Sequence, residues 1–240
     1  MNLTLDIGNT RIKAGIFDGS ILKESFVIAK YADLPAVIKK YPIKQIGVSS
    51  VVNSQEFKSN VPSSIPVLEF DYTTKIPLKN LYQTKVTLGN DRLVASIGAY
   101  SIFPNSNTLV IDAGTCIKYN FTNTRNEYLG GAISPGLNIR LRALHTFTDK
   151  LPLIESDFNF STLIGTNTPD SILSGVMTAS ALEVKGFIEM YNDQFENVKV
   201  VLTGGDAPFF EKQLKNNIFA DANLILKGLN TILLYNESNR

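Results

Sequence analysis

Apolar and polar side chains alternate along Leu3-Thr4-Leu5-Asp6-Ile7 and again from Ile12 to Phe17, on either side of a Gly8-Asn9-Thr10 corner. Period-two alternation flanking turn-forming residues predicts a β-hairpin. Asp18-Gly19 reads as the next turn and Ser25 to Ile28 as a third strand. Asp33 followed by Pro35 predicts a capped helix start running through about Lys40, and Ile46 to Val51 reads as a further strand. Leu93 to Tyr100 is a helical stretch.

The same pattern begins again at Thr108. Leu109 to Thr115 leads into Ile117 to Phe121, a polar turn at Thr122 to Asn126, and a run from Tyr128 to Ile133. Asp6 to Lys13 and Asp112 to Lys118 align once one residue is dropped, so the chain reads as internally duplicated. With the restart near Ser101 to Asn107, residues 1–106 form one expected half and 107–240 the other. Beyond it the pattern predicts a helix from Leu137 to Thr146. A longer one runs from Pro169 to Tyr191, with Ile172, Val176, Ala179 and Leu182 at helical spacing. An apolar strand at Lys199 to Leu202 precedes a Thr203-Gly204-Gly205-Asp206-Ala207 corner and a helix from about Pro208 to Lys215. Leu224 to Tyr235 reads as a last helix with Gly228 as a weak point. Two α/β halves sharing one cleft is the inferred architecture.

Bulk properties narrow the class. With 44% apolar and 19% charged residues over 240 positions, the chain reads as globular rather than disordered or fibrous. Its 23 basic and 22 acidic residues nearly cancel, which argues against nucleic-acid binding. Cys116 and His145 stand alone, so neither an intramolecular disulfide nor a paired Cys/His zinc site is expected, and His145 reads as a structural or interface histidine. The start, Met1 to Asp6, lacks the pattern of a signal peptide, and no apolar run approaches the ~20 residues of a membrane helix. A cytoplasmic protein is the expectation.

The two corners carry the candidate chemistry. In Asp-x-Gly-x-Thr the glycine lets backbone approach a phosphate, threonine and backbone N–H groups donate to it, and the aspartate suits a hydrated Mg²⁺. These residues are also ordinary turn formers; it is the second copy that favours a polyphosphate grip. Lys13 can reach a phosphate as a point charge. Gly204-Gly205 permits close packing of a flat ligand such as adenine. Gly89-Asn90-Asp91-Arg92 opens a helix, where Asn90 or Asp91 would serve as a cap. Alternatively Asp91 accepts the proton of an attacking hydroxyl while Arg92 grips an acidic substrate.

Asp6-Ile7-Gly8-Asn9-Thr10, Lys13, Gly89-Asn90-Asp91-Arg92 and Asp112-Ala113-Gly114-Thr115 stand in one order with four later motifs, the second of them Leu151-Pro152. The others are Gly130 to Leu137, Gly165-Thr166-Asn167-Thr168 and Thr203-Gly204-Gly205. In that order the chain resembles the type III pantothenate kinases of the acetate and sugar kinase, Hsp70 and actin superfamily, and Gly-x-Asp-Arg is the most specific part of the match. The resemblance implies two duplicated ribonuclease-H-like, actin-like ATPase halves facing one nucleotide cleft. It implies a homodimer and ATP-dependent phosphorylation of pantothenate, the first step of coenzyme A synthesis. Asp6 would take the Mg²⁺ role; Gly8, Asn9, Thr10, Lys13, Gly114 and Thr115 would hold phosphates, with Asp112 the second cleft aspartate. Asp91 would be the base. Tyr82, Gly89, Asn90, Arg92 and, from the partner subunit, Thr168 would contact pantothenate, and Gly204 and Gly205 would pack near the adenosine.

Two departures stand out. Asn120 occupies the place where the family usually has an aspartate that ligates a monovalent cation such as K⁺ or NH₄⁺, and an amide brings a carbonyl oxygen but no charge. Cys116-Ile117-Lys118 replaces the more usual alanine and threonines, which suggests that Lys118 supplies a fixed positive charge near that position. The resemblance therefore does not carry the cation requirement to this chain intact. Three other readings remain open at this level: a kinase for another hydroxy acid or sugar, a non-catalytic regulator of the same fold, and a phosphatase.

Overall fold

A computed structural model describes residues 1–8, 12–49, 54–214 and 218–239. Asn9, Thr10 and Arg11 of the first corner, Ser50 and Val51 at the expected end of a strand, and Lys215 at the expected end of a helix lie outside the described residues. The chain forms two compact units. The first comprises Met1–Asn105, Thr124–Leu129 and Asn223–Arg240; the second comprises Ser106–Asn123 and Gly130–Ala222.

The first unit is built on β1 (Asn2–Ile7), β2 (Ile12–Asp18) and β3 (Ile21–Ile28), an antiparallel ladder. The chain crosses through α1 (Leu34–Lys40) to β4 (Gln45–Val48), which pairs parallel with β1, and through α2 (Ser54–Ser59) to β5 (Val67–Glu69). The sheet order is β3-β2-β1-β4-β5. Pro35 sits in the first turn of α1, but the Asp33 carboxylate accepts from the Lys30 backbone N–H at 3.3 Å, closing the single 3₁₀ turn ahead of the helix instead of capping α1 itself. A short β6 (Lys79–Asn80) and the buried α3 (Asn90–Ile102) follow.

The second unit repeats the plan. The strands are β7 (Thr108–Ala113), β8 (Cys116–Thr122) and β9 (Glu127–Pro135), followed by α4 (Leu137–Thr146). Next comes a continuous helix of α5 (Thr168–Leu173), a π turn at Ser174–Thr178 and α6 (Ala179–Gln194). Then come β10 (Lys199–Thr203), α7 (Ala207–Leu214) and β11 (Ile218–Ala220). Five strands of its six-stranded sheet run β11-β10-β7-β8-β9, with β7 antiparallel to β8 and parallel to β10. Strand for strand this is the order of the first sheet, so the duplication read from the two corners extends to topology.

A last helix, α8 (Leu224–Ser238), belongs to the first unit, where it packs on α3, β1, β2 and β4. Gly228 does not weaken it. A Cβ there would lie 2.1 Å from the Val94 carbonyl oxygen, and one at Gly98 would lie 2.2 Å from that of Leu224, so the two glycines allow α3 and α8 to touch backbone to backbone. Asn230 on α8 is buried; it donates to the Gly19 carbonyl and accepts from Asn2, each at 2.9 Å.

Leu3, Leu5, Ile16, Ile46 and Leu34 fill one core of the first unit, and Ile97, Leu229, Ile232 and Tyr128 are among the residues filling another. In the second unit Tyr119 of β8 stacks on Phe187 of α6 at 4.0 Å, and Phe121 on Tyr191 at 5.0 Å. The helix Thr168–Gln194 is, among the described residues, the one long and apolar enough by composition to cross a membrane. Its Ile172, Val176, Met177 and Val184 are buried in the core of the second unit. Ala179 and Leu182, expected on that buried face, are exposed, Leu182 to 63%. The wider π turn rotates the face, and the buried positions after it are Ser180 and Val184.

Candidate active site

In the first unit the parallel pairing of β1 with β4 carries Ser49, just past β4, up to Asp6, just before the first corner. The Ser49 hydroxyl donates to the Asp6 carboxylate at 3.1 Å and accepts from the Ile7 N–H at 3.3 Å. The Ser49 carbonyl accepts from the Asn90 side-chain amide at 3.3 Å, and the same amide donates to the Phe70 carbonyl at 2.9 Å. Asn90 therefore stitches two strand ends to the start of α3 and is not a helix cap; Gly89 holds the cap position. Asp91 sits in the first helical turn, half-buried, its carboxylate accepting from the Arg92 N–H at 2.9 Å. A carboxylate suits this end of a helix, where backbone N–H groups point outward.

Arg92 is only 5% exposed, and its guanidinium lies 5.6 Å from the centroid of the Tyr82 ring, which packs against Tyr128. Ser49 thus links Asp6 to Asn90, and Arg92 lies over Tyr82, with Asp91 between Asn90 and Arg92 in the first turn of α3. Gly8 and Gly89 are exposed beside these groups in sequence, and Lys13 faces Asp6 across the β1–β2 ladder. Ser49 carries no motif, and sequence reading missed it; its place depends on a pairing between distant strands.

In the second unit β7 ends at the second corner. Asp112 faces Lys118 across the β7–β8 ladder, and the Lys118 ammonium lies 2.6 Å from the Asp112 carboxylate. Thr115 is exposed. The corner after β10 folds onto this one: Gly204 has φ +99, a left-handed conformation, and a Cβ on it would lie 2.1 Å from the Ala113 carbonyl oxygen. Asp206 N–H donates to that same oxygen at 2.9 Å, so Gly204, Gly205 and Gly114 come together. Burial pushes the Asp206 carboxyl up to about 6.

A polar network braces the other side of the second corner. Gly136 N–H donates to the Thr115 carbonyl at 3.0 Å. Arg140 on α4 donates to the Pro135 carbonyl at 2.8 Å and pairs with Glu183 of α6, which also accepts from the Tyr119 hydroxyl at 3.0 Å. Burial alone would raise the Glu183 carboxyl, but hydrogen bonds from Arg140, Ser134 and Tyr119 outweigh it and hold it below the usual range. Burial and the neighbouring Glu183 push the Tyr119 phenol up.

Thr168 opens α5 and lines an open cavity of about 550 Å³ in the second unit, together with Leu144, Leu151, Gly165 and Ile172. Asn120 is fully buried on β8. His145 places Nδ1 2.8 Å from the Leu151 carbonyl, a local structural bond. Among the described residues no three His, Cys, Asp or Glu side chains gather as a metal cluster.

Comparison with known proteins assigns the arrangement to a family. Residues 2–190 match the family described as type III pantothenate kinase. A type III pantothenate kinase from Flavobacterium johnsoniae is 43% identical over all of both chains, and one from Bacteroides fragilis is 41% identical over 99% of each. Among solved structures, one described as a Baf family transcriptional activator from Campylobacter jejuni superposes with a TM-score of 0.64 at 21% identity, covering 98% of this chain and 99% of that one. The activator of 2-hydroxyisocaproyl-CoA dehydratase from Clostridium difficile, with bound ADPNP, gives 0.54 at 16%, covering 99% and 96%. At such identities the two structures speak for a shared two-lobed, ribonuclease-H-like fold alone. The relatives that match along their whole length decide the rest: the chain belongs to the type III pantothenate kinase family.

Proposed function

We propose that this chain transfers the γ-phosphate of ATP to pantothenate, giving 4'-phosphopantothenate at the first step of coenzyme A synthesis, with Asp91 as the base. The observation that carries the residue roles is the grouping in the first unit. Asn90 ties the start of α3 to Ser49, Ser49 holds Asp6, and Arg92 lies over Tyr82 beside Asp91. A buried guanidinium suits the carboxylate of pantothenate. Asp91 then orients the acceptor hydroxyl and takes its proton. A carboxylate is a weak base for an alcohol, but phosphoryl transfer through a loose transition state releases the proton late, so positioning outweighs basicity.

A single carboxylate such as Asp6, held by the Ser49 hydroxyl, fits Mg²⁺, which commonly takes one or two carboxylates and completes its shell with water and substrate phosphates. When bound, the metal neutralises charge on the phosphates. In this reading Lys13, Gly8, Asn9, Thr10, Gly114 and Thr115 hold the phosphates, Asp112 is the second aspartate of the site, and Gly204 and Gly205 pack against adenosine. The near-zero net charge favours small-molecule partners over nucleic acid, and we place the protein in the cytoplasm. Exposed Phe147, Leu153, Leu163, Ile164 and Leu182 in the second unit support a homodimer in which Thr168 serves the partner's pantothenate site.

Transfer of labelled phosphate from ATP to pantothenate tests the reading. Wild type forms pantothenate-dependent product, and Asp91→Asn binds ATP normally but turns over about 10²–10⁴-fold more slowly. Unchanged turnover in the variant would return Asp91 to a purely helical role; ATP binding without product in wild type would refute the kinase reading.

A further inference from the structure

The two corners share a feature deeper than their motif. In the first hairpin Asp6 stands directly opposite Lys13; in the second, Asp112 stands directly opposite Lys118. Each corner thus brings its own lysine to its own aspartate, across the same ladder position. In the second corner the pair is closed, at 2.6 Å between ammonium and carboxylate, with side chains only 19% and 10% exposed. Asn120 lies two residues further along β8, on the same face as Lys118, and is fully buried.

This donor set does not fit the alkali-metal ion that the family resemblance implies. Asp112 and Lys118 already sum to zero charge, and Asn120 adds a carbonyl oxygen but no charge. A further monovalent cation would leave a net positive charge in a poorly solvated site and would stand against an ammonium a few ångströms away. Both effects grow as the local dielectric constant falls. A lysine instead brings the positive charge on a covalent tether, with no translational entropy to lose on binding.

We propose that Lys118 is a built-in replacement for the monovalent cation, so that this chain works without K⁺ or NH₄⁺. The inference rests on the kinase reading above and specifies the ionic requirement of that site. It predicts a paired exchange: restoring a carboxylate at 120 while removing the ammonium at 118 recreates a cation site.

The test measures pantothenate phosphorylation, and separately thermal stability with ATP and Mg²⁺, in potassium chloride and in tetramethylammonium chloride of equal ionic strength. Wild type is compared with the double variant Lys118→Thr, Asn120→Asp. Wild type is expected to differ by less than about twofold in rate between the salts and to show the same melting temperature. The double variant is expected to be about tenfold or more faster in potassium, a difference of about 1.4 kcal/mol, and to melt higher there. A wild-type rate that rises about tenfold or more with potassium overturns the proposal even if the variant fails to fold. If no salt yields product, the kinase reading fails, and the melting comparison then decides the ionic one: a potassium-specific stabilisation of wild type overturns it, and its absence supports it.

Discussion

The two corners follow one strand plan, yet their aspartates are held by different chemistry. Asp6, with Lys13 opposite it on the antiparallel strand, accepts from a neutral hydroxyl, Ser49, delivered by the parallel strand; Asp112 is paired at 2.6 Å with a charged ammonium, Lys118, delivered by the antiparallel one. A neutral donor steadies a carboxylate without itself cancelling its charge. An ammonium at 2.6 Å neutralises it. Duplication supplied two equivalent ladder positions, Asp6 opposite Lys13 and Asp112 opposite Lys118, and the serine hydroxyl that reaches Asp6 and the ammonium that closes on Asp112 are where the two corners part.

Three perturbations test this contrast, in descending size of effect. Glu183→Gln removes the charge that holds Arg140 and, through Pro135 and Gly136, steadies the second corner. Breaking a half-buried pair leaves Arg140 uncompensated, so about 2 kcal/mol of stability is expected to be lost by denaturant titration, with KM for ATP raised more than kcat is lowered. An equal loss of kcat with KM unchanged would mean that the brace serves the chemical step instead.

Ser49→Ala acts on the first corner, removing the hydroxyl that donates to Asp6 without disturbing the second. Loss of a hydrogen bond to a carboxylate, about 1.5 kcal/mol, predicts roughly a tenfold drop in kcat and a higher Mg²⁺ requirement, read from initial rates against metal concentration. If Ser49→Ala left the Mg²⁺ dependence untouched, the neutral-donor account of the first corner would be wrong.

Asp206→Asn gives the smallest effect. Because burial raises the folded-state carboxyl to about 6, above its value in the unfolded chain, its contribution to stability is full below the unfolded value and is lost as pH rises through about 6. The variant should flatten that part of a melting-temperature profile between about pH 4 and 6 and leave the rest unchanged. A wild-type profile already flat there would contradict the raised carboxyl.

The strands of both corners were legible because each is a short alternating run beside turn-forming residues, and the repeat of Asp6 to Lys13 in Asp112 to Lys118 exposed the duplication. That each lysine faces its aspartate was not legible, since register is set by the folded ladder and not by residue spacing alone. Ser49 was invisible for a related reason: its partner is 43 residues away through a parallel pairing. The apolar period marked the helix across Ile172 and Val176 but misassigned Ala179 and Leu182, because a π turn leaves no compositional mark and shifts the phase of everything after it. Gly228 read as a weak point because a sequence shows the missing side chain but not the neighbouring helix that needs it missing.

The placement of α8 has a consequence for how the chain is made. The first unit's sheet and α3 emerge from the ribosome well before Leu224–Ser238, yet Leu229 and Ile232 complete one of their cores and Asn230 bridges Asn2 and Gly19. Until those residues have been translated, the nascent first half carries an open apolar seam, while the second unit has all of its own strands and helices. Synthesis therefore runs opposite to completion: the half that begins first closes last, and in the interval its seam is the natural place for a chaperone to bind or for premature aggregation to start.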